Sequence, residues 1–397
     1  MDVRSLFKCV FAHAPPRVIR VPASLELLGG HTESHQGLVF SVAVDRYAEI
    51  GFVPRNDGRI ELVAERPEKR VRLWARECEP GMVPGWAAPV AAVVRQLGQL
   101  GGGIRGFNAA WTSDIPAEAG FSEHATLVIA AALALRRMFP YAIGETGLRE
   151  PPAPDRRGEL PTMGLKECMH FAGFCRAAER GMLAGEDLDH GFIAPLTNRA
   201  YGLSQLDCLH RAIERHSLPG ELVPVFCDTG LRDPGRGLHR ARFVAAGRRA
   251  AKTMGLRFLR SLAVGDVSRM TSDLSSHERG AARFVAGECA RVVAAEQAMR
   301  EGEITQFGEC LFQSHAAARE EAGITVPELD LLVAAAREHP ACIGARFTGS
   351  GSDGGTLNLV AWTQADSFIK SQRAQFRSAT GRELTCLQLK PVAGVFG

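Results

Sequence analysis

Three short segments place glycines where a strand hands over to a loop or a helix, and they constrain this chain more than any other feature. They are Leu27-Leu28-Gly29-Gly30-His31-Thr32-Glu33, Pro116-Ala117-Glu118-Ala119-Gly120-Phe121-Ser122, and Thr348-Gly349-Ser350-Gly351-Ser352-Asp353-Gly354-Gly355. Glycine at such a handover lets backbone N–H groups approach an anion. One such loop alone is usually a turn; three in this order are a more specific signal.

The pattern around them mixes strand and helix. Val18 to Val21, Gly37 to Val44, Tyr47 to Val53 and Ile60 to Val63 read as strands, with Leu27 to Gly30 as a loop between the first two. Pro89 to Leu100 has helical periodicity, Phe107 to Thr112 reads as a strand, and Ser122 to Met138 is a helix rich in alanine and leucine. The four prolines between Glu150 and Pro161 mark a surface loop, after which Leu165 to Met182 is helical. Leu222 to Cys227 is an apolar strand, followed by helices over Arg236 to Met254, Arg279 to Glu301 and Ile304 to Ala317. The tail alternates strand and helix: Ala345 to Phe347, Thr356 to Ala361, Ala365 to Thr380, Leu384 to Pro391. The Ser217-Leu218-Pro219-Gly220 turn marks a division into residues 1–216 and 217–397.

Composition removes several classes. Hydrophobic residues make up 46% and charged residues 23%, as in an ordinary globular chain, so disorder and fibres are excluded. A net charge of +3 gives no field toward nucleic acid or an anionic membrane. Only six basic residues are lysine; the arginines are scattered rather than gathered into a patch. Ten cysteines without a CxxC pair read as thiols in a reducing compartment, by default the cytoplasm. The apolar patch Phe7 to Ala14, cut off by Pro15 and Pro16, is too short for a signal peptide or a spanning helix.

The three glycine segments are similar to motifs of the galactokinases, within the GHMP small-molecule kinases. Val21 to Gly37 resembles the galactokinase signature, Pro116 to Leu127 the GHMP phosphate loop, and Ala345 to Gly355 the C-terminal glycine motif. Ala177-Ala178-Glu179, Asp207-Cys208, Phe226 to Gly230, Phe307-Gly308, Ser314-His315 and Pro327 to Asp330 also fall where that family has similar residues. The resemblance implies an α+β fold of two domains with a cleft between them. It implies ATP with Mg2+ on the phosphate loop and a hexose such as galactose beside the first signature, phosphorylated at its anomeric hydroxyl. It implies no nucleic acid and no membrane, and names no protein partner.

The departures fall on the chemistry. Where the family has a catalytic arginine and then Glu, His and Asp on the sugar hydroxyls, this chain has Ser24, Gly30, His31 and Glu33. His31 and Glu33 are therefore the expected sugar contacts. Counting at family spacing from Glu179 or from Asp207 puts the catalytic aspartate at Gly191, which can take no proton; Asp187 and Asp189 lie just upstream, and Asp189 is the candidate substitute base. In the phosphate loop Gly120, Ser122 and Ala125 survive as nucleotide contacts, while Glu118, Phe121, Glu123 and His124 are substituted; Glu123 is the candidate magnesium ligand. Ser352-Asp353 adds negative charge in the third motif, and Leu238 stands where the family has a tyrosine, ahead of the matched Arg242. A galactokinase-like protein with lost or much reduced activity follows, with a silent sugar-binding or regulatory relative and a kinase of changed substrate as alternatives. His31-x-Glu33-x-His35 lacks helical zinc spacing, and Glu186 to His190 lacks the spaced ligands of a calcium loop. Cys227 and Cys342 read as core rather than as nucleophiles.

Overall fold

A computed structural model describes residues 1–156, 159–182, 190–263, 265–266, 273–349 and 354–397. The chain opens with α1 (Val3–Phe11), whose N-cap Asp2 accepts from the backbone N–H groups of Arg4 and Ser5. The apolar patch at Phe7 is thus one face of a helix, with Val3, Leu6 and Phe7 buried.

Two long strands, β1 (Arg17–Leu28) and β2 (Leu38–Pro54), form an antiparallel pair joined by the first glycine segment. The sequence reads as two strands, Gly37 to Val44 and Tyr47 to Val53, but the pairing shifts from Pro22↔Tyr47 to Ala23↔Val44, so Asp45 and Arg46 form a bulge within one strand. Likewise Leu27 and Leu28 belong to β1, because both are buried against the core and Leu28 pairs with Phe40. Next come β3 (Arg59–Ala64), β4 (Arg66–Trp74), α2 (Ala88–Gln99), β5 (Phe107–Ser113), α3 (Glu123–Met138), the short β6 (Ala142–Ile143) and β7 (Leu148–Arg149), α4 (Leu165–Met182) and α5 (His190–Thr197). With β8 (Gly202–Asp207) and β9 (Ala212–Ser217) these complete a seven-stranded sheet ordered β4-β3-β5-β2-β8-β9, with β1 on the other edge of β2. Only β3 and β5 run parallel in it among the described residues. The alanine and leucine face of α3 is buried almost throughout, against β1 and β2 and between α2 and α4.

Strand β10 (Leu222–Leu231) begins a second, four-stranded antiparallel sheet. Helices α6 (Arg236–Thr253), α7 (Ser276–Glu301), α8 (Ile304–Ala317) and α9 (Pro327–Glu338) follow, then β11 (Cys342–Thr348), β12 (Gly354–Ala361), α10 (Ala365–Thr380) and β13 (Thr385–Gln388). The sheet order is β11-β12-β10-β13. Helix α8 widens into one π-helical turn, Ala318–Ala322, closed by Gly323 at φ 62°. The main core is continuous: Phe307, Leu357 and Leu389 pack in the same cluster as the inner faces of β1 and β2.

Candidate functional site

The first glycine segment is fixed between β1 and β2 by steric demand. Gly29 has φ 91°, and a Cβ there would lie 1.9 Å from the Leu38 carbonyl oxygen, so no other residue fits. Its N–H donates to Glu288 Oε1 at 2.9 Å, and its carbonyl accepts from Thr32 Oγ1 at 2.6 Å. The loop then lies along one face of α6. Glu33 Oε2 is 3.8 Å from Arg240, His31 stands edge-on to Phe243, and His35 fills the space left by Gly247. Residues 240, 243 and 247 share a helical face.

His31 is 1% exposed, and neither of its ring nitrogens has a hydrogen-bond partner among the described residues. Burial and the Arg240 guanidinium push its pKa down to about 4, against the opposing pull of Glu26 and Glu33. His35 is pushed down to about 4 as well, by burial and by Arg248.

An acidic side chain does occupy the space beside Gly30, but it comes from Glu26. A Cβ at position 30 would lie 1.8 Å from Glu26 Oε1, and Glu26 is held there by a buried ion pair with Arg346. Arg346 also lies 4.0 Å from Glu288. Burial alone would raise the Glu288 carboxyl; Arg291, Arg346 and the bonds from Ser314 and Gly29 outweigh it and hold the group below the usual range. Next to Ser314, His315 Nδ1 accepts from the Phe347 N–H at 3.3 Å, which leaves Nε2–H to donate to Asp330 at 3.0 Å.

The second glycine segment meets the third backbone to backbone. A Cβ on Gly120 would come within 3.3 Å of the Gly349 Cα, and both residues have positive φ. Phe121 packs edge-on to Phe226 at 4.7 Å, and Ala125 is buried in the first turn of α3. Ser122, at φ 52°, is the N-cap of α3 and makes no side-chain capping bond, so its hydroxyl does not compete with an anion for the first N–H groups of the helix. The side chains oppose that. Glu123 has its carboxyl pushed up by burial and then by Glu65 and Glu118, with Lys69 opposing, so negative charge already crowds this end. The backbone suits a phosphate and the carboxylates do not.

Gly191, in the first turn of α5, lies against this same loop. A Cβ there would be 3.0 Å from Ser122 Oγ and 3.4 Å from the Ala125 Cβ. Ser24, buried on β1, donates its hydroxyl to the Gly191 carbonyl at 3.5 Å. The structure thus brings together Ser24, Gly191, Ser122 and Ala125, and separately His31 with Glu33. Asp187 and Asp189, and Ser350, Gly351, Ser352 and Asp353 of the third segment, lie outside the described residues. Among the described residues no cluster of three His, Cys, Asp or Glu could hold a metal by itself.

Sequence reasoning passed over Glu26, Arg240, Glu288 and Arg346. Glu26 and Arg346 stand inside motifs that were already conspicuous, where an acid and an arginine in apolar strands were the available signal. Arg240 and Glu288 had no local signal, since only helix packing turns them toward the loop.

The chain is similar to known proteins over most of its length. Residues 5–51 match the galactokinase galactose-binding signature, and residues 295–367 match the GHMP kinases C terminal model. The chain is 27% identical over 395 residues to a galactokinase of Chloroflexus aurantiacus, covering 98% of this chain and 95% of that one. It is 26% identical over 412 residues to the human galactokinase, covering 97% and 96%. Among solved structures, Lactococcus lactis galactokinase complexed with galactose superposes with a TM-score of 0.87 at 21% identity, covering 98% of this chain and 97% of that one. Methanococcus jannaschii mevalonate kinase gives 0.61 at 15% identity, covering 95% and 98%. The fold is that of the GHMP small-molecule kinases, a two-domain α+β architecture. Within that class the matches along the whole chain support the galactokinase family. The family implies use of ATP. No helix among the described residues is long and apolar enough to cross a membrane.

Proposed function

We propose that this chain keeps the galactokinase cleft as a binding site for a galactose-like hexose, with His31 and Glu33 on the sugar hydroxyls, while phosphoryl transfer is lost or much reduced. The observation that carries the reading is the contact between Ser24 and Gly191. By resemblance these two places hold the family's catalytic arginine and aspartate; here a hydroxyl and a hydrogen stand there. Phosphoryl transfer depends on positioning and on neutralising the charge of the moving group, and neither residue supplies charge or a base. The phosphate loop supports the same reading. A carboxylate about 5 Å from a phosphate oxygen costs on the order of 3 kcal/mol at an effective dielectric near 20, and Glu118 and Glu123 both stand at this end. Gly120, Ser122 and Ala125 remain the nucleotide contacts, and Glu123 is the residue that would meet Mg2+.

A coupled ADP-release assay with Mg2+, ATP and a panel of hexoses, beside calorimetric titrations of galactose and MgATP, tests this. Galactose is expected to bind without turnover above an enzyme-free blank. Turnover that Asp189→Asn abolishes would overturn the silent reading and make Asp189 the base. Absence of binding by every hexose would remove the sugar half.

A further inference from the structure

A cavity of about 710 Å3 opens from His31, and its walls point to a ligand with a negative charge. This volume is within the range of small-molecule sites, with room for a hexose carrying a further substituent. Its inner end is His31, buried, with both ring nitrogens lacking partners among the described residues, so a hydrogen-bonding ligand would satisfy a polar group that is otherwise stranded. One wall is α6, which presents His239, Arg242, Ala246 and Arg249 at i, i+3, i+7 and i+10, with Arg240 and Phe243 beside them. The opposite wall is the turn after the π-helical residues, Ala322 to Val326, and the floor is Ser275 and His277 at the start of α7, where a long helix carries partial positive charge.

Three guanidiniums in the described walls face one carboxylate, Asp233, which is 3.6 Å from His239. Two of the three have acids beside them: Glu33 lies 3.8 Å from Arg240, and Glu278 lies 2.7 Å from Arg249. Arg242 has no ion pair among the described residues and is exposed on the cavity side of α6. It stands one helical turn beyond Leu238, so the arginine that the resemblance matches to the family is kept here while the phenol ahead of it is replaced by an apolar residue.

We propose that the ligand of this cavity is an acidic hexose derivative, its hydroxyls on His31 and Glu33 and its carboxylate or phosphate on Arg242, rather than a neutral hexose. The inference rests on the cleft being a sugar site, and it changes the class of sugar. A charge-assisted bond from a guanidinium to an oxyanion is roughly twice as strong as a neutral one, and an Arg–carboxylate or Arg–phosphate pair is frequently bidentate.

Calorimetry of the full chain at fixed ionic strength with galactose, galacturonate, galactose 6-phosphate and inorganic phosphate separates the possibilities. One of the two acidic sugars is expected to bind at least about tenfold more tightly than galactose, equivalent to about 1.4 kcal/mol. Arg242→Gln, an exposed substitution whose folding a thermal melt checks, is expected to collapse the ratio of acidic to neutral affinity toward one. A uronate-only or phosphate-only preference supports the proposal and identifies the source of the charge. Galactose binding as tightly as both acids, with Arg242→Gln changing nothing, would overturn it while leaving the sugar site intact. Inorganic phosphate binding as tightly as galactose 6-phosphate would also overturn it, as an anion site without sugar recognition. Failure of all four ligands to bind would remove the sugar reading along with it.

Discussion

His31 and His35 are carried neutral in the interior of the signature loop, and this fixes how stability depends on acid. Each is pushed from the usual 6.5 down to about 4, burial being the main cause in both. Below about pH 6.5 the unfolded chain takes up protons that the folded one refuses, so the stability present above that pH is lost as the pH falls toward about 4. The loss is about 1.4 kcal/mol per pH unit for each histidine. Urea unfolding between pH 7 and 4.5 is expected to show this decline, and a flat profile would mean that the two rings are hydrated or paired. At the same scale, the Gly30 position shows how a substitution misleads when read alone. The sequence suggests a lost carboxylate, whereas the Glu26 side chain fills that volume from four residues earlier. Nothing in the spacing of positions 26 and 30 announces it, because Glu26 on β1 and Gly30 in the loop meet only once the loop folds back.

Helix α6 acts as a clamp on the signature loop, through Arg240, Phe243 and Gly247. Its helical extent was legible, and so were the bounds of α4, α8 and α10. Which loop the helix would grip was not. Gly247→Ala separates the local from the tertiary effect. In an exposed helix interior the change is stabilising by about 1 kcal/mol; here the new methyl would lie 2.3 Å from the buried His35 Nε2. The expected result is destabilisation by about 1–3 kcal/mol from overpacking, read as a lower denaturation midpoint. A gain in stability would show that α6 stands off the loop. The strands were less legible than the helices. Strand β4 alternates charged residues along an edge and has no apolar run to reveal it, and β2 reads as two strands because its bulge is polar.

Across the whole molecule, Arg346 ties the small sheet to the large one. It projects from β11 to Glu26 on β1 and stands 4.0 Å from Glu288 on α7, wholly inside the protein. Burying such a group is costly, and the pairing offsets the desolvation only while both partners are present. Arg346→Met keeps a long apolar side chain but removes the cation that pairs with the buried Glu26 and stands beside the buried Glu288, which keeps Arg291. It is expected to lower stability by about 3–5 kcal/mol, with the loss appearing in the global transition because the hydrophobic core runs through both sheets. A near-unchanged midpoint would show that the carboxylates find other partners or neutralise.

By itself the sequence pointed to the family resemblance, most helices and the places where the chain departs from the family's motifs, since these reside in short segments whose residue types act locally: glycines that admit close backbone approach, apolar periodicity, acids beside a glycine loop. Tertiary structure alone decided that Ser24 meets Gly191, that the Glu26 side chain fills the space beside Gly30, and that His31 ends in a cavity walled by arginines. Those facts depend on which side chains share a volume or an electrostatic field, and residues as far apart as 26 and 346 come to share one only through the packing of strands and helices that no local pattern records.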